Sequence, residues 1–379
     1  MLQRTKRSAW RRSALLLVAA VLAMTVMAGC GGGKSKKEEP SLTFSGVSEG
    51  EVVATYKDGK VTKPEFDKYM AIFGMSQPGY EQILTLPQFQ EMILEQYVSY
   101  KVLASKASED SLKEAREEAD KQLEQYKEYK KSDETLAAKA KEKDISDNDM
   151  ATFLMITSAA IVHINSQVTE EDEKASFEEM KADFAVSTVR HILIQTMEQD
   201  PQTGEAKEVR TSEEALARAN EVKAKLDAGG DWDALAKEYS DDPGSKDKGG
   251  LYEKKAGGDW VEAFKLAAYE QEIGVIGEPV ETEYGYHVMK VEEREVKAFD
   301  QLTDTDKEQV KAAAAYKYME MFMNEEMPKQ ELNMTLPEPE QTDGEGAGNG
   351  AGAEDEKKDD AADSGAGNTE AGTEEKAAE

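Results

Sequence analysis

Two β-type runs, Val189-Arg190-His191-Ile192-Leu193-Ile194 and Tyr284-Gly285-Tyr286-His287-Val288-Met289-Lys290-Val291, constrain this chain more than any other feature. Side chains alternate across a strand, so Val189, His191 and Leu193 share one face of the first run, and Gly285, His287 and Met289 one face of the second. If the strands are neighbours, the imidazoles can hydrogen-bond and fix each other's tautomers. Taken singly, a strand histidine is most often a satisfied core residue. Only three histidines occur in the chain, and two of them sit in matching β context.

The stretch between the runs alternates helix and strand signals. The strand Val186 to Thr196 leads through a polar loop to a helix capped by Thr211-Ser212-Glu213-Glu214, with Leu216, Ala219, Val222 and Leu226 inward and Gly229-Gly230 as its stop. Asp231 caps a short helix with Trp232, Leu235, Ala236 and Tyr239. Then come Tyr239-Ser240-Asp241-Asp242-Pro243-Gly244-Ser245, the turn Gly249-Gly250-Leu251, and a third helix from Trp260 to Tyr269. Pro243 biases Asp242 toward an extended conformation, presenting its carboxylate at a loop; Asp241 is its nearest competitor. Ile276 to Val280 and Tyr286 to Val291 complete a sheet, which makes residues 186–294 one α+β layer domain.

Residues 51–185 read as mostly helical. Val52 to Tyr56 is a strand, Asp58-Gly59 a turn, and Thr62-Lys63-Pro64-Glu65 a capping box. A helix follows Pro87, with Phe89, Ile93, Tyr97, Tyr100 and Ala104 at helical spacing. Asp110 to Lys143 is charged and predicts a long exposed helix or arm. Ala151 to Ile164 is buried helix, with His163 structural, and Thr169 begins another. Residues 295–336 return to helix, with Val310, Ala314, Tyr318 and Phe322 in register. The tail, 337–379, is rich in Gly, Ala, Glu and Asp, and is expected to be disordered.

The 379 residues include 47 basic and 78 acidic side chains, a net charge of −31, which argues against nucleic acid as a partner. Three scattered histidines do not supply a metal site, and no cofactor is implied. The single cysteine, Cys30, excludes a disulfide framework. It follows a basic segment with Arg4, Lys6, Arg7, Arg11 and Arg12, an apolar run from Ser13 to Met27, and the small residues Ala28-Gly29. Residues 30–50, rich in Gly, Lys and Glu, form a flexible tether whose root-mean-square span is roughly 25 Å.

The order of motifs in the central stretch, paired histidine strands, Tyr-Ser-x-Asp and Gly-Gly, resembles the parvulin family of peptidyl-prolyl isomerases. Residues 1–29 and Cys30 resemble a bacterial lipoprotein signal, with Met27 where Leu or Val is usual. This implies cleavage before Cys30, lipid on that cysteine, and residence on the extracytoplasmic side of the cell membrane. The helical segment is similar to the N-terminal part of PrsA-type and SurA-type foldases, which implies a chaperone domain of residues 51–185 completed by 295–336, with the parvulin domain, a small antiparallel sheet flanked by helices, inserted at 186–294. The resemblance makes His191 and His287 the floor of the active site. Asp242 aligns with a position that is cysteine or aspartate in parvulins, and Leu251, Trp260 and Phe264 with the proline pocket. Thr282 and Tyr284 align with hydroxyl-bearing or aromatic positions near the substrate. Trp260 stands where relatives often carry methionine, and the Asp often seen after the glycines is missing. The implied partners are unfolded exported proteins, with the oligomeric state, a homodimer included, left open. A holdase with an inactive, peptide-binding parvulin domain is the alternative. Phosphorylation-dependent relatives carry a basic cluster after the first strand; Glu198 to Glu208 is mixed and net acidic, so no phosphate requirement is expected.

Overall fold

The computed structural model describes residues 41–80, 83–199 and 206–336. The signal segment, Cys30, most of the tether and the acidic tail lie outside the described residues; within the described part of the expected tether, Phe44 and Val47 are buried in the first core and the Val47 carbonyl accepts from the Thr62 hydroxyl at 2.6 Å, so that end is packed rather than flexible. The strands β1 (Val52–Tyr56) and β2 (Gly59–Thr62) form a hairpin that delivers the chain into α1 (Lys63–Ser76). Thr62 caps this helix by accepting from the Glu65 N–H, but the expected reciprocal half of the capping box is absent. The Glu65 carboxylate instead turns into the core, where it accepts from the Tyr97 hydroxyl at 2.8 Å and pairs with Lys101. A buried carboxylate gains more from two donors, one of them charged, than from its own helix terminus.

Helices α2 (Pro87–Ser105) and α5 (Asp147–Gln167) supply most of this core. Ile93, Tyr97 and Leu103 of α2 and Phe153, Ile156 and Ile164 of α5 are buried in one cluster. His163 is buried on α5. Among the described residues, no single helix is long and apolar enough to cross a membrane.

The charged stretch is not one free arm. It folds as α3 (Glu109–Ser132) and α4 (Glu134–Glu142), broken at Asp133, whose carboxylate accepts from the N–H groups of Thr135 (2.8 Å) and Leu136 (3.0 Å). The buried Ala115, Ala119 and Leu123 recur every fourth residue of α3, and Ala115 and Ala119 pack with Met155 and Ala159 of α5. Alanines form a narrow stripe that lets two helices approach closely while the remaining surface stays charged.

After α6 (Glu170–Phe184) the chain enters β3 (Val186–Gln195), followed by the short hairpin β4 (Met197–Gln199) and β5 (Ala206–Glu208). Next come α7 (Ser212–Asp227), α8 (Trp232–Tyr239), β6 (Leu251–Ala256), α9 (Glu262–Glu270), β7 (Val280–Thr282) and β8 (Gly285–Glu295). The antiparallel order is β6-β3-β8-β7. Ile192, Ile194, Tyr286 and Val288 pack against α7 and α8, whereas Val189, Met289 and Val291 meet Phe264 and Ala268 of α9.

Three local expectations change. Leu216 is 37% exposed and Ala215 is buried in its place, because the inward stripe of α7 runs Ala215, Ala219, Val222, Leu226. Leu251 begins a strand rather than ending a turn. Of Ile276 to Val280 only Val280 is in a strand, Ile276 making a single bridge to Lys290. Pro279 between them has no N–H to extend the ladder.

Helix α10 (Asp304–Met321) then returns the chain to the first core. Ala315 and Met319, with Phe322, Met323 and Met327 just beyond, join the cluster formed by α1, α2 and α5. A two-residue strand, β9 (Asn333–Met334), pairs antiparallel with β1, so the described chain ends beside its first strand. The protein is an α+β chain with a small antiparallel sheet flanked by helices.

Candidate active site

In the ladder, His191 pairs with Met289 and Leu193 with His287, so the two histidines are diagonal neighbours on adjacent strands. This is within reach of long or aromatic side chains on one sheet face. Their Nδ1 atoms stand 3.0 Å apart and the rings stack at 5.3 Å between centroids, 17° from parallel. Both are almost fully buried, at 4% and 5% exposure. Phe264 closes over them from α9, its ring edge-on to His191 at 5.4 Å and to His287 at 5.1 Å.

The loop after α8 brings in the carboxylates. Ser240 accepts from the Leu193 N–H, and the Asp241 N–H donates to the Leu193 carbonyl at 2.8 Å, fastening this loop to β3. Asp241 accepts from the Gln195 N–H at 3.0 Å and from Arg210 at 2.7 Å, so it is occupied in holding the loop. Asp242 points the other way. Its Oδ2 lies 2.9 Å from His191 Nε2 and accepts from the Tyr252 hydroxyl at 3.0 Å and from the Ser245 hydroxyl, while Oδ1 accepts from the Gly244 N–H at 2.9 Å.

The glycine pair on the far side of this loop has a steric cause. Gly250 has φ +69°, and a Cβ there would lie 1.9 Å from the His191 carbonyl oxygen. Only a residue without a side chain can bring its own carbonyl to the His191 N–H, at 2.9 Å. Arg190 secures the same corner by donating to the Gly249 carbonyl and to Asp233 and Glu292.

The polar groups form one continuous chain. Burial raises the Asp242 carboxyl, but hydrogen bonds from His191, Ser245 and the Gly244 N–H outweigh it and hold the group well below the usual carboxylate range. An ionised Asp242 only accepts, so His191 donates from Nε2. The two Nδ1 atoms share one hydrogen bond at 3.0 Å, and His287 Nε2 shares another with the Thr282 hydroxyl at 2.9 Å. Burial, with the nearby His191 as a second cause, depresses His287 to about 3, so it stays neutral at physiological pH.

The structure therefore brings together His191, His287, Asp242, Thr282 and Phe264. Trp260 stacks edge-on to Phe264 at 5.1 Å, from the turn just before α9 rather than from the helix. Leu251 pairs with Arg190, one residue off the histidine line, and belongs to neither apolar cluster of the sheet. Tyr284 is 48% exposed in the β7–β8 turn, with its N–H donated to Thr282. Sequence reasoning missed Ser245 and Tyr252. Ser245 follows Asp242 by three residues in one turn, a local signal; Tyr252 is signalled only once β6 is recognised as a strand.

The assembly contains a partly buried carboxylate, a stacked imidazole pair and an apolar wall, which suits orientation and electrostatic work. A family model for the PPIC-type PPIASE domain matches residues 175–295, beginning inside α6. The foldase protein PrsA of Geobacillus kaustophilus is 31% identical over 255 residues, covering 67% of this chain and 75% of that protein. Foldase protein PrsA 3 of Bacillus anthracis is 32% identical over 267 residues, covering 70% and 77%. A crystal structure of the peptidylprolyl isomerase PrsA from Bacillus cereus overlaps 74% of this chain and 90% of that chain, with 26% sequence identity and a TM-score of 0.42.

Proposed function

Because the chain belongs to the PrsA foldase family and is a parvulin-type peptidyl-prolyl isomerase, we propose that it works as a lipid-anchored foldase on the extracytoplasmic face of the membrane. It isomerises X-Pro bonds of exported chains at the cluster of His191, Asp242 and His287. Residues 186–294 are the catalytic insert, and 51–185 with 295–336 are the chaperone body. The core shared by α1, α2, α5 and α10, together with the β1–β9 pairing, supports that division. Cys30 carries the anchor, and the tether runs from it only as far as Phe44 and Val47, which are buried in the first core. The inactive holdase is set aside by the family's activity.

Rotation of a prolyl amide faces a barrier of roughly 20 kcal/mol and takes tens to hundreds of seconds uncatalysed. The planar form places partial negative charge on the carbonyl oxygen, and that charge fades as the bond twists. An ionised Asp242 facing that carbonyl raises the planar form relative to the twisted one, so its effect is differential, as catalysis requires. Phe264 and Trp260 offer the proline ring an apolar wall, and Thr282 anchors His287 through its Nε2. The observation that carries this reading is a carboxylate only 14% exposed beside the paired imidazoles, with His191, Ser245, Tyr252 and the Gly244 N–H all within hydrogen-bond distance of its oxygens.

Two measurements test the proposal. The Cys30→Ala chain should move from the membrane pellet to the soluble fraction; a variant that stays in the pellet removes the lipid anchor from the account. The described part of the hairpin after β3 carries Glu198, Lys207 and Glu208, an acidic balance that disfavours phosphate. Phosphoserine-proline and serine-proline peptides should therefore be turned over at similar kcat/KM, and a several-fold gain for the phosphorylated peptide would contradict this.

A further inference from the structure

We propose that Tyr252 is a positioning residue for the isomerase reaction: its hydroxyl, donated from the edge strand β6, fixes the direction of the Asp242 carboxylate relative to the sheet. The inference rests on the role given to Asp242 above. The two oxygens of that carboxylate are held differently. Among the described residues, Oδ1 receives only the Gly244 N–H, whereas Oδ2 receives His191 Nε2 at 2.9 Å, Tyr252 Oη at 3.0 Å and the Ser245 hydroxyl.

These donors are not equivalent. Gly244 and Ser245 lie two and three residues from Asp242 in the same turn, so they set its side-chain torsions but move with the loop. His191 and Tyr252 reach Oδ2 from β3 and β6, two paired strands of the sheet. They tie the charge to a rigid frame, and Tyr252 alone does so from the sheet edge. Its ring also leans on the imidazole, at 5.4 Å between centroids and 40° between planes. Gly244 leaves room for the Tyr252 hydroxyl, since a Cβ there would stand 3.1 Å from its oxygen, closer than ordinary contact. Burial, and then the charge of Asp242, push the Tyr252 hydroxyl up to about 12, so it remains a donor at neutral pH.

The test uses the full chain and a serine-proline peptide. Tyr252→Phe keeps the ring and removes the donor. It should lower kcat about tenfold, equivalent to about 1.4 kcal/mol, with KM unchanged within about twofold and the thermal midpoint within about 3 °C. In an Asp242→Asn background the same substitution should change kcat by less than about twofold, because the charge to be oriented is gone. An equal loss in both backgrounds overturns the tyrosine's role while leaving that of Asp242 intact, and so does full activity in Tyr252→Phe beside an impaired Asp242→Asn. Wild-type kcat in Asp242→Asn overturns the role of the aspartate and, with it, this proposal.

Discussion

Substituting Gly250 by alanine probes the corner on which the site is built. At φ +69° an alanine is in the left-handed region, a cost of about 1–2 kcal/mol. Its Cβ would then meet the His191 carbonyl oxygen at 1.9 Å, a backbone atom that cannot swing aside. Relief requires β6 to separate from β3, breaking the hydrogen bond from the His191 N–H to the Gly250 carbonyl, and leaving that buried pair unmade costs about 1–3 kcal/mol more. The expected total is roughly 3 kcal/mol, which lowers the midpoint of thermal unfolding by on the order of 10 °C. Gly274 is the control: φ is +83° and nothing lies within 4 Å of a Cβ there, so Gly274→Ala should cost the backbone term alone, about 1–2 kcal/mol. Calorimetry on both variants separates the contributions. At permissive temperature Gly250→Ala should also lose activity by roughly a hundredfold, the effect of displacing a reacting group by about 1 Å. If Gly250→Ala melts no earlier than Gly274→Ala, the close approach to His191 is not what the glycine provides.

Acid should weaken the fold through His287. Its folded value is depressed to about 3 from the ordinary 6.5, so between these values the unfolded chain binds the proton and the native chain does not. Stability is full above 6.5 and falls toward pH 3 by about 1.4 kcal/mol per unit. A His287→Gln variant should show a flatter dependence of melting temperature on pH, and parallel curves would refute the assignment. The two adjacent aspartates should separate cleanly. Asp241→Asn weakens the pair with Arg210 and should lower the melting temperature with kcat little changed, whereas Asp242→Asn should lower kcat; similar kcat losses in both would contradict the division of labour.

The sheet face was legible because strand alternation is strict, and His191 and His287 needed only a register to meet. The loop carrying Asp242 was legible from Pro243, and the resemblance already chose Asp242 over its neighbour; what the sequence did not show is that Arg210 occupies Asp241. Other features were hidden for physical reasons. The alanines of α3 are too small to register against its charges, so a packed helix was read as an exposed helix or arm. Glu65 matches a capping box locally, and only the tertiary contacts with Tyr97 and Lys101 redirect it. Strand β9 has two residues and no pattern of its own; its partner β1 defines it.

The account stands most directly on the cis/trans interconversion rate of an unphosphorylated X-Pro peptide, measured by NMR exchange with the full chain and with His191→Ala. Removing the imidazole that joins Asp242 to His287 should lower kcat/KM by at least about a hundredfold, or roughly 2.7 kcal/mol, while the variant retains its helical spectrum. A folded His191→Ala chain that isomerises the peptide as fast as the wild type would contradict the assignment of catalysis to this cluster.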